Sequence, residues 1–151
     1  MKWLIRLLAT FFGLGYLPLA SGTWGTVGGV LLYWVTDGRG WWVRLLIFLI
    51  VFLLGIPVAE YADRSWGTHD NKRIVIDEVA GYLLGVLPFS FTIERAIIGF
   101  ILFRFFDITK IYPAGTVDKK VGGGAGVMLD DIVAGFYSLI VMFLIVKFAG
   151  G

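Results

Sequence analysis

The hydrophobic positions of this chain fall into five long runs, separated by polar or glycine-rich segments. The runs cover residues 24–36, 41–59, 74–88, 94–112 and 127–149. We predict that all five are helices. The first and third are short for a full membrane crossing at about 1.5 Å of rise per residue, so tilting, extension into the flanking loops and partial insertion all stay open. The predicted number of membrane helices is therefore four to six.

Composition indicates where these helices lie. Of the 151 residues, 58% are hydrophobic and 16% are charged, with a mean hydropathy of +0.86. A soluble domain of this size needs about a quarter of its residues charged. The pattern therefore predicts an all-α, polytopic integral membrane bundle that forms a single membrane-embedded domain over residues 1–151. We see no repeat, linker or second domain in the sequence.

The first residues resemble a signal peptide in outline, with a candidate cleavage site after Ala20. Arg6 interrupts the apolar stretch, however, and a proline at position 18 is unfavourable so close before a cleavage site. We expect a retained helix at the membrane interface instead.

The remaining composition excludes several kinds of chemistry and partner. The chain contains no cysteine, which rules out disulfides, thiolate nucleophiles and cysteine-based metal sites. A net charge of +2 without a basic run among exposed aromatics gives no sign of a nucleic-acid partner. The oligomeric state stays open.

If all five helices cross, the segments 1–23, 60–73 and 113–126 share one side with the helix ends next to them. By the positive-inside rule this side is cytoplasmic, because it holds nine basic residues against four opposite. The nine are Lys2, Arg6, Arg64, Lys72, Arg73, Arg104, Lys110, Lys119 and Lys120.

The same side carries three groups of acids at the ends of apolar runs. An ionised aspartate in a membrane interior costs about 2.5 to 3.5 kcal/mol, so such residues usually face a metal, a partner or a polar cavity. We predict that this set holds a hard divalent cation, Mg²⁺. The groups are Asp77 with Glu78, Asp107, and Asp130 with Asp131.

These residues suggest a mechanism of phosphate-ester hydrolysis. Asp77, Asp107 and Asp130 would hold Mg²⁺ and so polarise an attacking water. Glu78 or Asp131 would take the proton of that water as the catalytic base.

The neighbouring basic residues would complete this chemistry. Arg104 and Lys110 would bind the phosphoryl group and neutralise its charge, while His69 would protonate the leaving alcohol. An aspartyl-phosphate intermediate stays open, as does the plainer interpretation of Asp107 as the ion-pair partner of Arg104 or Lys110. His69 could equally be an exposed loop residue.

Two glycine-rich stretches, 21–29 and 121–126, precede helices on this side. Backbone N–H groups at such positions can hold a phosphate, although glycines also serve close helix packing in membranes. We expect the loop with Thr23 and Trp24 to close over the headgroup, and Gly123 and Gly124 to contact the phosphate.

The motifs together resemble the phosphatidylglycerophosphatase A family of bacterial membrane lipid phosphatases. They are SGTWGT at 21–26, HD at 69–70 with IVIDEVAG at 74–81, FRFFDITK at 103–110 and GGGAGVMLDDIVAG at 122–135. The resemblance implies Mg²⁺-dependent conversion of phosphatidylglycerophosphate to phosphatidylglycerol and phosphate in the bacterial cytoplasmic membrane, with the site facing the cytoplasm. It also places Asp70 with the substrate. The turn at 71–73, Ile76 and the stretch 111–113 depart from the family pattern.

Three other interpretations of the sequence stay in view. A small ion- or proton-coupled transporter would also bury carboxylates, but it favours charges near the middle of the membrane and often an internal repeat. A CDP-alcohol phosphotransferase would carry a different aspartate signature, which this chain lacks. A purely structural membrane protein would leave the acid groups unexplained.

Overall fold

A computed structural model of the chain describes residues 2–68 and 71–149, with the backbone alone for residue 118. These ranges fold into seven α-helices and one short 3₁₀ helix, Leu14–Tyr16, without a strand. The predicted all-α class is therefore confirmed. The helices are α1 Lys2–Ala9, α2 Ser21–Val35, α3 Trp41–Trp66, α4 Ile76–Gly85, α5 Ile93–Thr109, α6 Ala114–Lys120 and α7 Gly123–Ala149.

Each of the five hydrophobic runs forms one helix, and local signals explain several of the ends. Thr92 caps α5, because its hydroxyl accepts a hydrogen bond from the Arg95 N–H at 3.1 Å. Gly67 ends α3 in the left-handed conformation, with φ at 65°. Helix α6 was not predicted, because its seven residues lie in a polar loop region.

Helix α4 lies at the centre of the bundle, where it packs on α2, α3 and α7. Its side chains Val79, Tyr82 and Leu83 are fully buried. Glycines let its neighbours approach closely. A Cβ built on Gly29 of α2 would lie 2.8 Å from Cδ1 of Tyr82, and one built on Gly135 of α7 would overlap the carbonyl oxygen of Gly81. Small residues are typical of such close helix contacts.

The N-terminal segment folds as the predicted helix and is attached to the end of α3. Arg6 donates to the hydroxyl of Ser65 at 3.0 Å and to its carbonyl at 2.8 Å. The Val75 N–H donates to the carbonyl of Ala9 at 2.9 Å, which fixes the chain just before α4. The interfacial position of α1 stays a prediction.

Within the described residues, two helices are long and apolar enough to cross a membrane, α3 and α7. Only 28% and 22% of their most apolar stretches are buried, whereas a core helix of a soluble protein is mostly buried. The remaining three hydrophobic runs form α2, α4 and α5. These helices have 15, 10 and 17 residues and are shorter than the roughly 20 residues of a full crossing. The structure thus supports two candidate spans, and the predicted four to six are not confirmed.

Successive long helices alternate in direction, so their ends gather in two places. Helices α2, α4 and α7 begin at the end where α3 and α5 finish. We name this end the acidic end, after Asp77, Glu78, Asp107, Asp130 and Asp131. The other end, which we name the opposite end, contains Arg44 and the loop 86–91.

Candidate active site

The five acids of the acidic end come from three helices. Helix α4 places Asp77 and Glu78 in its first turn, and α7 places Asp130 and Asp131 about two turns from its start. Helix α5 supplies Asp107 near its last turn. Asp77, Asp130 and Asp131 are buried, and the other two acids are partly buried. The sequence-based prediction that helices would bring these acids together thus agrees with their placement.

The carboxylates form two overlapping groups of metal-ligand type. In each group, one oxygen per residue lies within 4.8 Å of the others. Asp77, Glu78 and Asp131 make up the first group, and Asp107, Asp130 and Asp131 make up the second. Asp131 therefore stands between the two.

Three of these carboxylates keep a buried oxygen with no hydrogen-bond partner within the described parts of the chain. The atoms are Oδ1 of Asp77, Oε2 of Glu78 and Oδ2 of Asp131. An unsatisfied buried polar group costs about 1 to 3 kcal/mol, and more when it is charged. All three belong to the first group, so their oxygens suit a shared hard cation. Oxygen donors are those that Mg²⁺ prefers, and the residues present fit such an ion.

The other two acids have basic partners. Arg104 forms an ion pair with Asp107, one turn along α5, and Lys110 forms one with Asp130 across the α5–α7 interface. The ion pair of Asp107 with Arg104, which the sequence left open as the plainer interpretation of Asp107, is thus present. The predicted metal set of Asp77, Asp107 and Asp130 remains untested, but the unsatisfied oxygens favour Glu78 and Asp131 beside Asp77.

Helix α2 closes this cluster on one side through Gly22. A Cβ built there would lie 2.5 Å from Oε1 of Glu78 and 2.7 Å from Nη1 of Arg104. Because Gly22 has no side chain, the Glu78 carboxylate and the Arg104 guanidinium can occupy this space. This is a steric reason for glycine inside the 21–29 stretch, beside the phosphate role expected from sequence.

A cavity of about 210 Å³ opens onto the acids. Its volume is below the 300 Å³ lower limit typical of small-molecule pockets and suits a charged headgroup better than a whole lipid. Ser21 donates to the carbonyl of Lys72 at 2.5 Å, which joins the start of α2 to the loop before α4. The lining comprises Ser21, Asn71, Lys72, Ile74, Asp77, Glu78, Asp107, Lys110, Val127, Asp130 and Asp131.

Thr23 and Trp24 are not among the residues that line this cavity. The Trp24 indole N–H donates to the carbonyl of Pro18 at 3.3 Å, and its side chain is partly exposed. Ser21 of the same motif does reach the cavity. The expected contact of Thr23 and Trp24 with the headgroup stays a prediction.

The second glycine-rich stretch contacts a carboxylate that sequence reasoning missed. The Gly124 N–H donates to Oε2 of Glu60 at 2.6 Å, and Gly123 has a φ of 69°. Glu60 also pairs with Arg64, one turn along α3. The carboxylate thus satisfies a free N–H at the start of α7, as a helix N-terminus favours. Phosphate binding by Gly123 and Gly124 stays a prediction.

The predicted residues His69 and Asp70 lie outside the described residues, so their roles stay predictions. The loop on either side of them is held by Asp63, a second missed acid. Its carboxylate accepts hydrogen bonds from the Asn71 N–H at 2.8 Å and the Thr68 hydroxyl at 3.3 Å. Glu60 and Asp63 stand three residues apart at the end of an apolar run, and that position was the available signal.

A second missed signal is a short recurrence in the sequence. Asp77 begins the five residues DEVAG, and Asp131 begins DIVAG. The two segments face each other across the α4–α7 contact, where Gly81 and Gly135 meet. The recurrence therefore marks the pair of helix faces that forms the first carboxylate group.

Comparison with known proteins gives a consistent family assignment. The family model for phosphatidylglycerophosphatase A matches residues 7–146. A phosphatidylglycerophosphatase A of Haemophilus influenzae is 38% identical over 144 residues, which cover 93% of this chain and 88% of the relative. The Escherichia coli protein of that name is 30% identical over 141 residues, covering 93% and 82%.

A third relative carries a different name. This protein of Bacteroides thetaiotaomicron, provisionally named a phosphatidylinositol-3-phosphatase, is 36% identical over 146 residues, covering 90% and 89%. No solved structure matches the chain. The family model covers nearly all of the helical bundle and all five acids of the acidic end. The chain belongs to the phosphatidylglycerophosphatase A family.

Proposed function

We propose that this protein is a Mg²⁺-dependent lipid phosphatase. Its substrate would be phosphatidylglycerophosphate, and its products phosphatidylglycerol and inorganic phosphate. The observation that carries the proposal is the set of unsatisfied oxygens on Asp77, Glu78 and Asp131, next to the basic residues Arg104 and Lys110. Family membership and the names of two relatives support the same substrate.

In this proposal Asp77, Glu78 and Asp131 hold the cation. When bound, Mg²⁺ supplies charge neutralisation for the phosphate and makes a nearby water more acidic. The three acids need such an ion because their burial and mutual proximity leave the negative charges otherwise uncompensated. The second oxygen of Glu78 or Asp131 would accept the proton of the attacking water.

Arg104 and Lys110 bind the phosphoryl oxygens of the substrate. Each is oriented by an ion pair, Arg104 with Asp107 and Lys110 with Asp130. Positive charge held in place before the reaction stabilises the transition state of phosphoryl transfer better than a mobile side chain does. Asp107 and Asp130 therefore position the basic residues, in addition to any contact with the cation.

The protein would act in the bacterial cytoplasmic membrane. Helices α3 and α7 would cross it, with the shorter helices packed against them and the acidic end facing the cytoplasm. The largely exposed apolar faces of α3 and α7 support this placement, and the excess of basic residues on the acidic side supports the orientation. Phosphatidylglycerophosphate would then enter from the surrounding lipid.

The transporter alternative is not favoured. A coupling site is expected near the middle of the membrane. In this protein the described acids of both carboxylate groups lie instead towards one end of the bundle, beside two ion-paired basic residues.

Phosphate release from phosphatidylglycerophosphate by the purified protein in detergent tests the proposal. We expect release with Mg²⁺, none with a chelator, and loss of activity in Asp131→Asn. Glu94→Gln, an exposed acid at the opposite end, is the matched control and should keep wild-type activity. A folded wild-type protein that releases no phosphate would contradict the proposal. Phosphatidylinositol 3-phosphate, assayed in parallel, tests the headgroup suggested by the third relative's name.

A further inference from the structure

An apolar groove runs between α2 and α5 on the outside of the bundle. Its volume is about 400 Å³, within the range of about 300 to 1,000 Å³ usual for ligand pockets. Every lining side chain is a hydrocarbon. The residues are Val27, Val30, Phe91, Ile93, Ala96, Ile97, Phe100 and Ile101.

The groove extends from the opposite end of the bundle toward the acidic end. Gly22 at the start of α2 faces Arg104 on α5, so the same two helices form both places. Ile101 precedes Arg104 by three residues, which is about 4.5 Å along the helix axis. From Ile101 the lining continues back to Ile93, about 12 Å further from the proposed phosphate site.

The groove is open to the outside of the bundle. Ala96 is buried and belongs to its floor, while Ile97 and Ile101 are 54% and 61% exposed and form its rim. Helix α2 packs mainly on α4 and helix α5 mainly on α7, with less contact between α2 and α5. A linear apolar chain could therefore enter sideways from the membrane.

The proposed substrate has the matching chemistry. Its charged head requires the cation and the basic residues, whereas its acyl chains require an apolar surface. Burial of each methylene group favours binding, so a groove of this length contributes substantially to lipid binding. An amphiphile whose charged and apolar parts are joined matches both places, because both lie along α2 and α5.

We propose that the α2–α5 groove binds one acyl chain of the phospholipid whose phosphate lies at the acidic end. The groove thereby selects lipids by chain length. This inference rests on the proposed function and adds a specificity site to it.

A pair of neighbouring isoleucines provides a matched test. Ile97 lines the groove, whereas Ile98 lines a separate cavity of about 140 Å³ beside α7. Ile97→Trp should obstruct the groove, and Ile98→Trp places the same side chain at the same depth on another face of α5. Both would be assayed in mixed micelles with dioleoyl and dihexanoyl phosphatidylglycerophosphate, the second of which has far fewer methylene groups to bury.

We expect Ile97→Trp to raise KM for the dioleoyl lipid about tenfold, equivalent to displacing roughly two buried methylenes. KM for the dihexanoyl lipid, and kcat for both, should stay within about twofold, since the reacting groups are untouched. Ile98→Trp should change neither. Val30→Trp, from the opposite wall, should repeat the effect and serves if Ile97→Trp fails to fold.

Two results would overturn the inference. One is an equal change in KM for both lipids in Ile97→Trp, and the other is an equal effect of Ile97→Trp and Ile98→Trp. Either would mean that the groove holds bulk lipid or another copy of the chain. Failure of the wild-type protein on both lipids is a distinct outcome, because it would refute the proposed function itself.

Discussion

Arg44 at the opposite end and Asp131 at the acidic end are both charged and both buried, with 3% and 4% of their surfaces exposed. Their surroundings differ. The Arg44 guanidinium donates to the carbonyls of Leu87 at 2.9 Å and Phe89 at 2.5 Å and to the hydroxyl of Thr36 at 3.2 Å. It also lies over the ring of Tyr33, 4.6 Å from the centroid. In the part of the chain that the structure describes, one buried oxygen of Asp131 has no hydrogen-bond partner.

The comparison shows that burial of a charge does not by itself identify a site. Arg44 satisfies carbonyls beyond the end of α4 that have no partner within that helix, and so it closes the fold there. Each acid of the first group has an oxygen without a hydrogen-bond partner among the described residues, which is typical of a ligand-binding site. Under the proposed function, one end of α4 serves the reaction and the other serves stability.

The largest expected effect is a loss of activity without a loss of stability at the acidic end. Asp77→Asn should lower kcat for phosphate release by about 10³-fold, the magnitude seen when a principal electrostatic group is removed from an active site. Its unfolding temperature in chelator should not fall, because the substitution removes repulsion among buried acids. Retained activity would show that Asp77 does not take part.

At the opposite end the effect should be on stability. Arg44→Met should lower the free energy of unfolding by about 3 kcal/mol, because buried carbonyls lose their donors. The specific activity of the folded fraction should be unchanged. Thermal unfolding in detergent measures the first quantity, with Arg39→Met, an exposed arginine nearby, as the control. A large loss of activity in folded Arg44→Met would remove the distinction between the ends.

Mg²⁺ should stabilise the acidic end selectively. At a concentration of about 100 Kd the ion should add about 2.7 kcal/mol to the stability of the wild-type protein. Arg44→Met should show the same increase and Asp77→Asn none. Calorimetry or thermal unfolding with and without the ion measures this effect. An equal increase in Asp77→Asn would place the binding site elsewhere.

The smallest expected effect comes from two glycines on α2. Gly22→Ala should lower activity about tenfold, because the new methyl group displaces Glu78 and Arg104. Gly29→Ala, which instead meets the ring of Tyr82, should cost about 1 to 3 kcal/mol of stability and leave the activity of folded protein unchanged. If the two variants lost activity and stability to the same extent, Gly22 and Gly29 would not have the separate roles expected here.

The sequence predicts much of this fold, because uninterrupted hydrophobic runs directly specify helices. Helix α6 was missed, since its seven residues include a glycine and three charged residues and show no apolar periodicity. The number of spans was also beyond prediction, because helix α4 ends at Gly85 although its apolar run continues to residue 88.

The acid cluster was predictable from its position along the chain, but its internal pairing was not. Which carboxylate meets Lys110 depends on the rotation of α7 against α5, and a sequence contains no such angle. Glu60 reaches a backbone N–H 64 residues away, so its role is visible only after folding.

The contact between Gly81 and Gly135 determines how precisely Asp77 and Asp131 are spaced. On α4 and on α7 the glycine follows an acid, Asp77 or Asp131, by four residues and so lies on the same face one turn further along. Main-chain atoms meet there without intervening side chains, so backbone contact fixes the distance between the two acids. A single methyl group at either glycine would spread the helices and widen the proposed cation site. The spacing of the acids in the proposed site is therefore set by two residues that have no functional group.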